Sequence, residues 1–224
     1  MPFVELRLNT RNFSRLYAAI PDAVKQIVKK HKNVVLAGGS IRSSFEGTPA
    51  NDFDIFFLTD KKSKDFEAVS DFFDLDGTAD KHVNHAQMKE VRDWLVKMGF
   101  RVAFECVKGE LITLKAGSVK IQLIYKEKWL SVQELLGSFD FTICQFATYD
   151  FSTLWTSTKA IKDVKKRRLS LFEMKYPLAT LNRLHKYRKY GYKCNETCLL
   201  DICRGIATVM NSNPTEDQLA LYVD

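Results

Sequence analysis

Apolar and polar positions in the first 60 residues follow two different periods. Apolar side chains between Phe13 and Lys32 recur every three or four residues, which predicts helix, and Pro21 predicts a break between two short helices. Two apolar runs follow, "NVVLAG" at 33–38 and "FDIFFLT" at 53–59, and such short runs are typical of buried strands. The chain is therefore expected to place two short helices before a pair of strands.

The connection between these two strands has a pattern of its own. It contains two adjacent glycines, a segment from Ser40 to Glu46 that predicts a short helix, and the turn-forming residues "GTPAND". Side chains of a strand alternate between its two sides, so Asp52 and Asp54 are predicted to lie on the same side of the second strand. Two neighbouring carboxylates repel each other unless a cation lies between them.

Later segments predict further helices and strands. Asn84 is expected to cap an amphipathic helix that ends at Gly99, after a short helix around 66–73. Three strands follow, in "FRVAFEC", "ELITLKAG" and "VKIQLIYK". Beyond Tyr149 the pattern becomes helical, with one helix in "PLATLNRLHKYRKYG" and a final pair near 195–211 and 214–222.

This order of elements predicts an α+β fold, in which a small mixed sheet is flanked by helices and followed by a helical C-terminal part. A chain of 224 residues is long enough to bury such a core. We expect residues 1–150 to form the core and residues 151–224 to form a helical, basic region packed on it.

Charge and hydropathy narrow the choice of partners. The formal net charge of +7 and the pI near 9.1 favour a polyanionic partner, and positive charge is concentrated between residues 159 and 193. The longest apolar runs are far shorter than the roughly 20 residues of a membrane span, and the first residues lack the apolar segment of a signal peptide. We therefore expect a cytoplasmic protein with no membrane partner.

The five cysteines show no spacing typical of a disulfide framework, so reduced thiols are expected. Cys194, Cys198 and Cys203 lie close together in sequence, which raises the alternative of a zinc site. Their spacings of four and five residues within a predicted helix, without a CxxC pair, favour buried structural thiols instead.

The stretch "LAGGSIRSSFEGTPANDFDIFF" carries the residues with the most specific chemistry. Gly38 and Gly39 lack a Cβ atom, so an anionic group can approach their backbone, and the helix that follows offers unpaired amides. Ser40 adds a hydroxyl and Arg42 a possible phosphate fork. Carboxylates that share Mg²⁺ with a substrate phosphate are typical of phosphoryl and nucleotidyl transfer. The alternative is an ordinary strand-to-helix turn beside a solvated charge pair.

This stretch resembles the signature of the polymerase-beta-like nucleotidyltransferase superfamily, and in particular the head domain of tRNA CCA-adding enzymes and bacterial poly(A) polymerases. Gly38, Gly39 and Ser40 match the phosphate-binding turn of that signature, and Arg42 matches its arginine. Asp52 and Asp54 match its metal-binding pair. The aspartate that usually follows the arginine is replaced by Ser43.

A second stretch, "SFDFTICQFATYDF", is similar to the RRDFTINALAYD segment of the same enzymes. Asp140 and Thr142 match its aspartate and threonine, so the resemblance implies a catalytic role for Asp140 and nucleotide binding by Thr142. Some members carry a third carboxylate on the strand where this chain has Gln122. Asp140 is then the candidate for a third acid, and the competing interpretation is that it caps a helix.

The base-reading motif of CCA-adding enzymes, EDxxR, is not present where the resemblance would place it. Lys175, Tyr176 and Ala179 lie at its three positions. The resemblance therefore does not support the template-free CTP and ATP selection of those enzymes. The segments around it look closer to a divergent branch of nucleotidyltransferase-like proteins found in viruses and fungi.

The basic C-terminal third contains candidate RNA contacts. Arg183, Lys186 and Tyr187 have helical spacing that allows them to line one face, where cations would contact phosphates and tyrosines would stack on bases. The alternative is that the leucines of this helix form a core stripe and its cations are solvated. The densest run of cations comprises Lys162, Lys165, Lys166, Arg167 and Arg168, and the alternative is that this charge serves only solubility.

The sequence thus predicts a nucleotidyltransferase that depends on Mg²⁺, with two ions, and moves a nucleoside monophosphate from an NTP to a hydroxyl, with the 3′ end of an RNA as the expected acceptor. Two alternatives remain open. The acceptor could be a protein or a small molecule, since small members of the superfamily use both. The chain could also be a non-catalytic nucleotide- or RNA-binding relative that kept the fold.

Overall fold

The computed structural model describes residues 2–50, 52–59, 79–106, 110–125 and 129–215, and within these ranges it contains ten strands and eight α-helices. The strands are β1 Phe3–Arg7, β2 Val34–Ala37, β3 Asp52–Phe57, β4 Arg101–Glu105, β5 Leu111–Ala116, β6 Val119–Ile124, β7 Phe146–Thr148, β8 Thr153–Ser157, β9 Arg168–Leu169 and β10 Lys193–Cys194. The helices are α1 Thr10–Ala19, α2 Asp22–Lys30, α3 Gly39–Glu46, α4 Ala79–Lys97, α5 Val132–Gly137, α6 Thr158–Lys165, α7 Pro177–Lys189 and α8 Glu196–Met210, and a 3₁₀ turn spans Thr142–Cys144.

Eight of the strands form one sheet in the order β1-β8-β7-β2-β3-β6-β5-β4. The β3 and β6 strands run parallel, and every other neighbouring pair in this sheet is antiparallel. The mixed sheet flanked by helices confirms the predicted α+β class. It also confirms the predicted strands in the segments 33–38, 53–59 and 100–126.

Each face of the sheet packs in a different hydrophobic core, and the side chains of β3 alternate between these two cores. Phe53, Ile55 and Phe57 are buried in the core formed with α1, α2 and α4, while Phe56 is buried in a second core on the other face. Period-two alternation therefore places Asp52 and Asp54 on the same face as Phe56. The prediction that the two aspartates share a face follows directly from this burial pattern.

The N-terminal strand and β8 lie outside the predicted pattern. The prediction that the chain becomes helical beyond Tyr149 is wrong for Thr153–Ser157, which pairs with β1 and with β7. The sequence of β1 gives a weak signal because most of its residues are exposed, and its pairing with β8 closes one side of the sheet. The expected division after residue 150 thus falls between two strands that pair with each other.

Other boundaries also differ from the sequence prediction. The fourth helix begins at Ala79, so Asn84 lies inside it rather than at its start. The short helix expected around 66–73 and most of the helix expected at 214–222 lie outside the described residues. No helix in the described part of the chain combines the length and apolar character that a membrane span requires.

A third core cluster joins the C-terminal helices to the 3₁₀ turn. Beside it, the Thr142 hydroxyl donates to the Asp163 carboxylate at 2.7 Å, and Arg168 Nε donates to the same carboxylate at 2.7 Å. Thr142 and Asp163 are both fully buried. Burial removes the hydration of the Asp163 carboxylate, and its hydrogen bonds to Thr142 and Arg168 offset that free-energy cost. The network connects the 3₁₀ turn, α6 and β9.

This network predicts a large effect of Asp163→Ala on stability. The substitution leaves the buried Thr142 hydroxyl and the half-exposed Arg168 without their acceptor, so we expect the free energy of unfolding to fall by about 2–3 kcal/mol. Lys162→Ala, an exposed neighbour on the same helix, should stay within about 0.5 kcal/mol of the parent protein. Urea unfolding of the two variants checks this, and equal stabilities would contradict the assigned role of Asp163.

Candidate active site

The turn that follows β2 is held against the aspartate strand by strand register. Ala37 pairs with Asp54 across β2 and β3, and the Gly38 amide donates to the Phe146 carbonyl at 2.8 Å. Gly38 has φ +92° and ψ −147°, a conformation essentially restricted to glycine. A Cβ atom at Gly38 would lie 3.4 Å from Asp54 Oδ2. The glycine backbone and the carboxylate therefore form adjoining walls of one site.

Asp52 and Asp54 are half-buried and have cationic or polar neighbours on the same face. Lys120 pairs with Asp52 across β3 and β6, and its Nζ lies 3.5 Å from Asp52 Oδ2. Lys186 of α7 reaches the same oxygen from above the sheet, at 3.8 Å. Gln122 pairs with Asp54 on β6, so an amide lies at the position beside the second aspartate. The two lysines offset part of the repulsion between the carboxylates.

Ser40 completes the turn at the start of α3. Its side chain is 3% exposed, and the structure gives its Oγ atom no hydrogen-bond partner. A buried hydroxyl without a partner has a free-energy cost unless a ligand or water binds it. The first amides of α3 also lack partners within the helix. The turn from Gly38 to Ser40 is thus suited to a phosphate group.

The turn from Gly38 to Ser40 fits a substrate phosphate, and the paired carboxylates beside it fit a divalent cation that is shared with that phosphate. Asp52 and Asp54 are the residues that would hold it. Across the described residues, no group of three His, Cys, Asp or Glu side chains is close enough to hold a metal ion. The site therefore offers the two predicted carboxylates without a third acid among the described residues.

Arg42 lies behind the turn rather than open to solvent. Its side chain is almost fully buried, and its guanidinium faces the Tyr187 and Tyr192 rings at 5.1 and 5.5 Å from the ring centroids. Arg42 Nε is 3.3 Å from Glu46 Oε2, an ion pair without hydrogen-bond geometry, since Nε and Nη1 have no hydrogen-bond partner. A Cβ atom at Gly39 would lie 3.4 Å from Arg42 Nη2. The predicted phosphate fork is therefore arranged here as a support for the turn.

Glu46 connects this support to the C-terminal part. It accepts from the Tyr192 hydroxyl at 2.7 Å and pairs with Arg167 Nη1 at 2.9 Å. Burial, followed by the hydrogen bond to Glu46, raises the pKa of Tyr192 well above its usual value. The phenol thus keeps its proton and remains a donor to Glu46. Nothing in the sequence pattern pointed to Glu46 or Tyr192.

Asp140 and Thr142 have other partners in the structure. Asp140 Oδ2 accepts from Arg183 Nε at 2.5 Å and Oδ1 accepts from the Phe141 amide at 2.8 Å. Asp140 does not join Asp52 and Asp54 in a three-acid group, and the 3₁₀ turn that begins after Phe141 has no side-chain cap hydrogen bond. The hydroxyl of Thr142 is fully buried and donates to Asp163, so the structure does not present it to a nucleotide.

Several of the predicted RNA contacts are engaged within the protein. Arg167 binds Glu46, Arg168 binds Asp163 and Arg183 binds Asp140. Tyr187 is 7% exposed and its hydroxyl lies 2.9 Å from Cys144 Sγ, so base stacking on this ring is not available in the structure. Burial raises the pKa of the Tyr187 phenol. The remaining members of the set are exposed or half-exposed: Lys165, Lys166 and Lys186.

The cysteines are all free, as predicted. Cys198 is buried, Cys194 is half-buried and Cys203 is exposed, so the interpretation as buried thiols is wrong for Cys203. Burial, with a smaller contribution from the Cys194 thiol, raises the pKa of Cys198 to about 12. The zinc alternative has no support among the described residues, where no metal-holding group of three such side chains occurs.

Lys120 is a further residue of the site that the sequence prediction missed. A signal was present, because "VKIQLI" alternates Lys120 and Gln122 with apolar residues in the same way that "DFDIFF" alternates its two aspartates. Only the parallel register of β3 and β6 places Lys120 beside Asp52. The sequence did not reveal this register, since the strands are separated by more than 60 residues.

Solved structures of similar fold include CCA-adding enzymes and a tRNA nucleotidyltransferase. A CCA-adding enzyme in complex with ATP aligns with 96% of this chain and 49% of its own, with a TM-score of 0.61 and 14% identity. The Thermotoga maritima CCA-adding enzyme complexed with tRNA aligns with 96% and 49%, with a TM-score of 0.59 and 15% identity. A tRNA nucleotidyltransferase complexed with a primer tRNA and an ATP analogue aligns with 88% and 53%, with a TM-score of 0.56 and 18% identity.

The chain therefore has the nucleotidyltransferase fold, which confirms the superfamily resemblance at the level of fold. The family model described as "Gad2: Gabija anti-defense 2 family protein" matches residues 7–167, and the chain belongs to this family. A relative from Bacillus phage SPbetaL7, named "Gabija anti-defense 2", is 24% identical over 182 residues. That match covers 80% of this chain and 38% of the relative, so the chain spans less than half of the relative's length.

The conformation of Gly38 predicts a matched pair of substitutions. Gly38→Ala should lower the free energy of unfolding by about 1–3 kcal/mol, because a side chain is strained at φ +92° and ψ −147°. Gly47→Ala is the control, since Gly47 has φ +72° and ψ +23° and open space at its Cβ position, and we expect a cost of about 1–2 kcal/mol. Urea unfolding measures both, and a neutral Gly38→Ala would contradict this account of the turn.

The different burial of the cysteines predicts the order in which their thiols react with an alkylating reagent. Burial raises the pKa of Cys198 to about 12, so little of it is thiolate at pH 8, and Cys198 should react with iodoacetamide far more slowly than exposed Cys203. Peptide mass spectrometry at timed intervals measures both rates, and equal labelling at pH 8 would contradict the burial of Cys198.

Proposed function

We propose that this protein is a nucleotidyltransferase that depends on Mg²⁺ and transfers a nucleoside monophosphate from an NTP to a hydroxyl group. The observation that carries the proposal is the position of Asp52 and Asp54 beside the turn at Gly38 and Ser40. Carboxylates bind the cation and the turn receives the triphosphate, which are the two requirements of this chemistry. The fold agrees with the proposal.

The reaction forms one bond and breaks one. The acceptor hydroxyl oxygen bonds to the α-phosphorus, the bond from that phosphorus to the bridging oxygen of the β-phosphate breaks, and pyrophosphate leaves with the bond electrons. The acceptor proton passes to a carboxylate of the site or to solvent. The divalent cations, when bound, supply the charge that stabilises the transferring phosphate and the leaving group.

The residues of the chain position the reactants. The amides after Gly38 and the Ser40 hydroxyl orient the triphosphate, and α3 places the positive end of its dipole toward that anion. Arg42, held between two aromatic rings and Glu46, keeps this turn in place from behind. Lys120 and Lys186 neutralise Asp52 in the structure, and they would be free to contact the phosphates if a cation were bound by this carboxylate.

The proposed acceptor is the 3′ end of a nucleic acid, in agreement with the net charge of +7. Two of the structural neighbours are described as complexes with tRNA, which supports RNA as the acceptor class. We further propose that the protein counters a defence of the kind that gives its family the name Gabija anti-defense 2. In this proposal the transfer reaction is the means by which it does so.

Nucleotide transfer is tested with α-³²P-labelled NTPs, Mg²⁺ and a mixed RNA pool. We expect label on RNA, with a loss of about 10²- to 10³-fold for Asp52→Asn or Asp54→Asn. Asp93→Asn, an exposed aspartate on α4, is the matched control and should retain full activity. The same three variants, expressed in cells that carry a Gabija defence and infected with a sensitive phage, test the anti-defence role by plaque counts.

The outcomes separate the alternatives. Label on a protein band instead of RNA would identify a protein acceptor and contradict the RNA proposal. Binding of NTP that is unaffected by Mg²⁺ and is followed by no turnover would identify a non-catalytic relative. Anti-defence activity that survives both aspartate substitutions would show that the transfer reaction is not its cause.

A further inference from the structure

The sheet face that carries the two aspartates continues into a row of cations. Strand register places Lys120 opposite Asp52, Lys115 opposite Lys120 and Arg101 opposite Lys115. Directly opposite residues of neighbouring strands project from the same face of the sheet. The row therefore starts at the proposed catalytic carboxylate and runs across β6 and β5 to the edge strand β4. We call Lys120, Lys115 and Arg101 the cation row.

The outer two members of the cation row are exposed and have no acidic partner among the residues that the structure describes. Lys115 and Arg101 are both exposed, and in the described part of the chain no carboxylate lies within ion-pair distance of either. Like charges placed directly opposite each other destabilise a sheet. A row of exposed like charges that disfavours folding, with no acidic partner among the described residues, suits an external anion. Neighbouring strands are about 4.8 Å apart, so the row covers about 10 Å and suits an extended anion better than a single ion.

An exposed aromatic ring lies beside the row. Phe104 is 53% exposed on the edge strand and pairs with Thr113, which pairs with Gln122, which in turn pairs with Asp54. This second row lies on the same face and ends at the second proposed catalytic carboxylate. Gln122 and Thr113 are buried, so Phe104 and the cation row are the accessible features of this region. Cations that follow a backbone beside an aromatic ring are typical of single-stranded nucleic-acid binding.

We propose that the cation row and Phe104 bind the single-stranded 3′ segment of a nucleic-acid acceptor and lead its terminal hydroxyl to Asp52 and Asp54. Lys120, Lys115 and Arg101 contact successive phosphates, and Phe104 stacks on a base. This inference rests on the proposed transfer function for the direction of the strand. It assigns acceptor binding to the edge of the sheet, whereas the sequence pattern placed it in the C-terminal basic segment.

Binding is tested without NTP or Mg²⁺, by fluorescence anisotropy of labelled 12-nucleotide RNA and DNA single strands at several salt concentrations. The double variant Arg101→Gln, Lys115→Gln should weaken binding about tenfold and reduce the slope of log K against log salt by about 1.4. Phe104→Ser should weaken binding with an unchanged slope, because the ring makes no ion pair. The control is Lys162→Gln, Lys165→Gln, which removes two cations exposed on α6 and leaves the cation row intact.

The proposal is overturned if the α6 variant loses binding as much as the cation-row variant, or if neither strand binds the parent protein. Its failure is distinguishable from failure of the transfer function. Label transfer to RNA that is unaffected by the cation-row variant would overturn this inference and leave the transferase intact. Oligonucleotide binding that depends on the cation row, with no label transfer in any condition, would leave the binding surface intact and overturn the transferase together with the direction assigned to the strand. Thermal unfolding of each variant checks that the sheet edge still folds.

Discussion

The antiparallel register of β2 and β3 is the constraint on which the candidate site depends. It places Ala37 opposite Asp54, so the chain leaves β2 at the height of the second aspartate and turns at Gly38 directly beside it. A shift of one residue would move both aspartates to the opposite face, into the core occupied by Phe53 and Ile55. The apolar residues of β3 therefore fix the register, and the register fixes the distance between the anion-binding turn and the carboxylates.

A second constraint comes from the C-terminal part, which supports α3 from behind. Arg42 and Glu46 are buried charges one helical turn apart, and Arg167, Tyr187 and Tyr192 enclose them. Buried charges are costly unless they are paired, and this cluster joins two arginines, one glutamate and a phenol that stays protonated. The arrangement couples the position of the turn to the C-terminal helices. Arg42 therefore supports the turn from within the protein, although its guanidinium does not face the solvent.

Local sequence signals predicted much of the fold and the centre of the site. Runs of apolar residues identified β2 and β3, and alternation placed Asp52 and Asp54 on one face, since both signals depend only on neighbours in sequence. Features that depend on distant segments were not predictable in this way. No local signal indicated that Lys120 lies beside Asp52, because the two positions are 68 apart in the chain and their strand order was unknown. Charge alone also could not distinguish Arg183, which binds Asp140, from a cation available to a ligand.

The most direct test of the central claim is a crystal structure of the protein with Mg²⁺ and a non-hydrolysable NTP. We expect the triphosphate to lie on the amides that follow Gly38, with the cation bound by Asp52 and Asp54 and with Lys120 and Lys186 moved away from the Asp52 carboxylate. A triphosphate bound elsewhere, such as at the exposed lysines of α6, with both lysines still paired to Asp52, would contradict the assignment of this site.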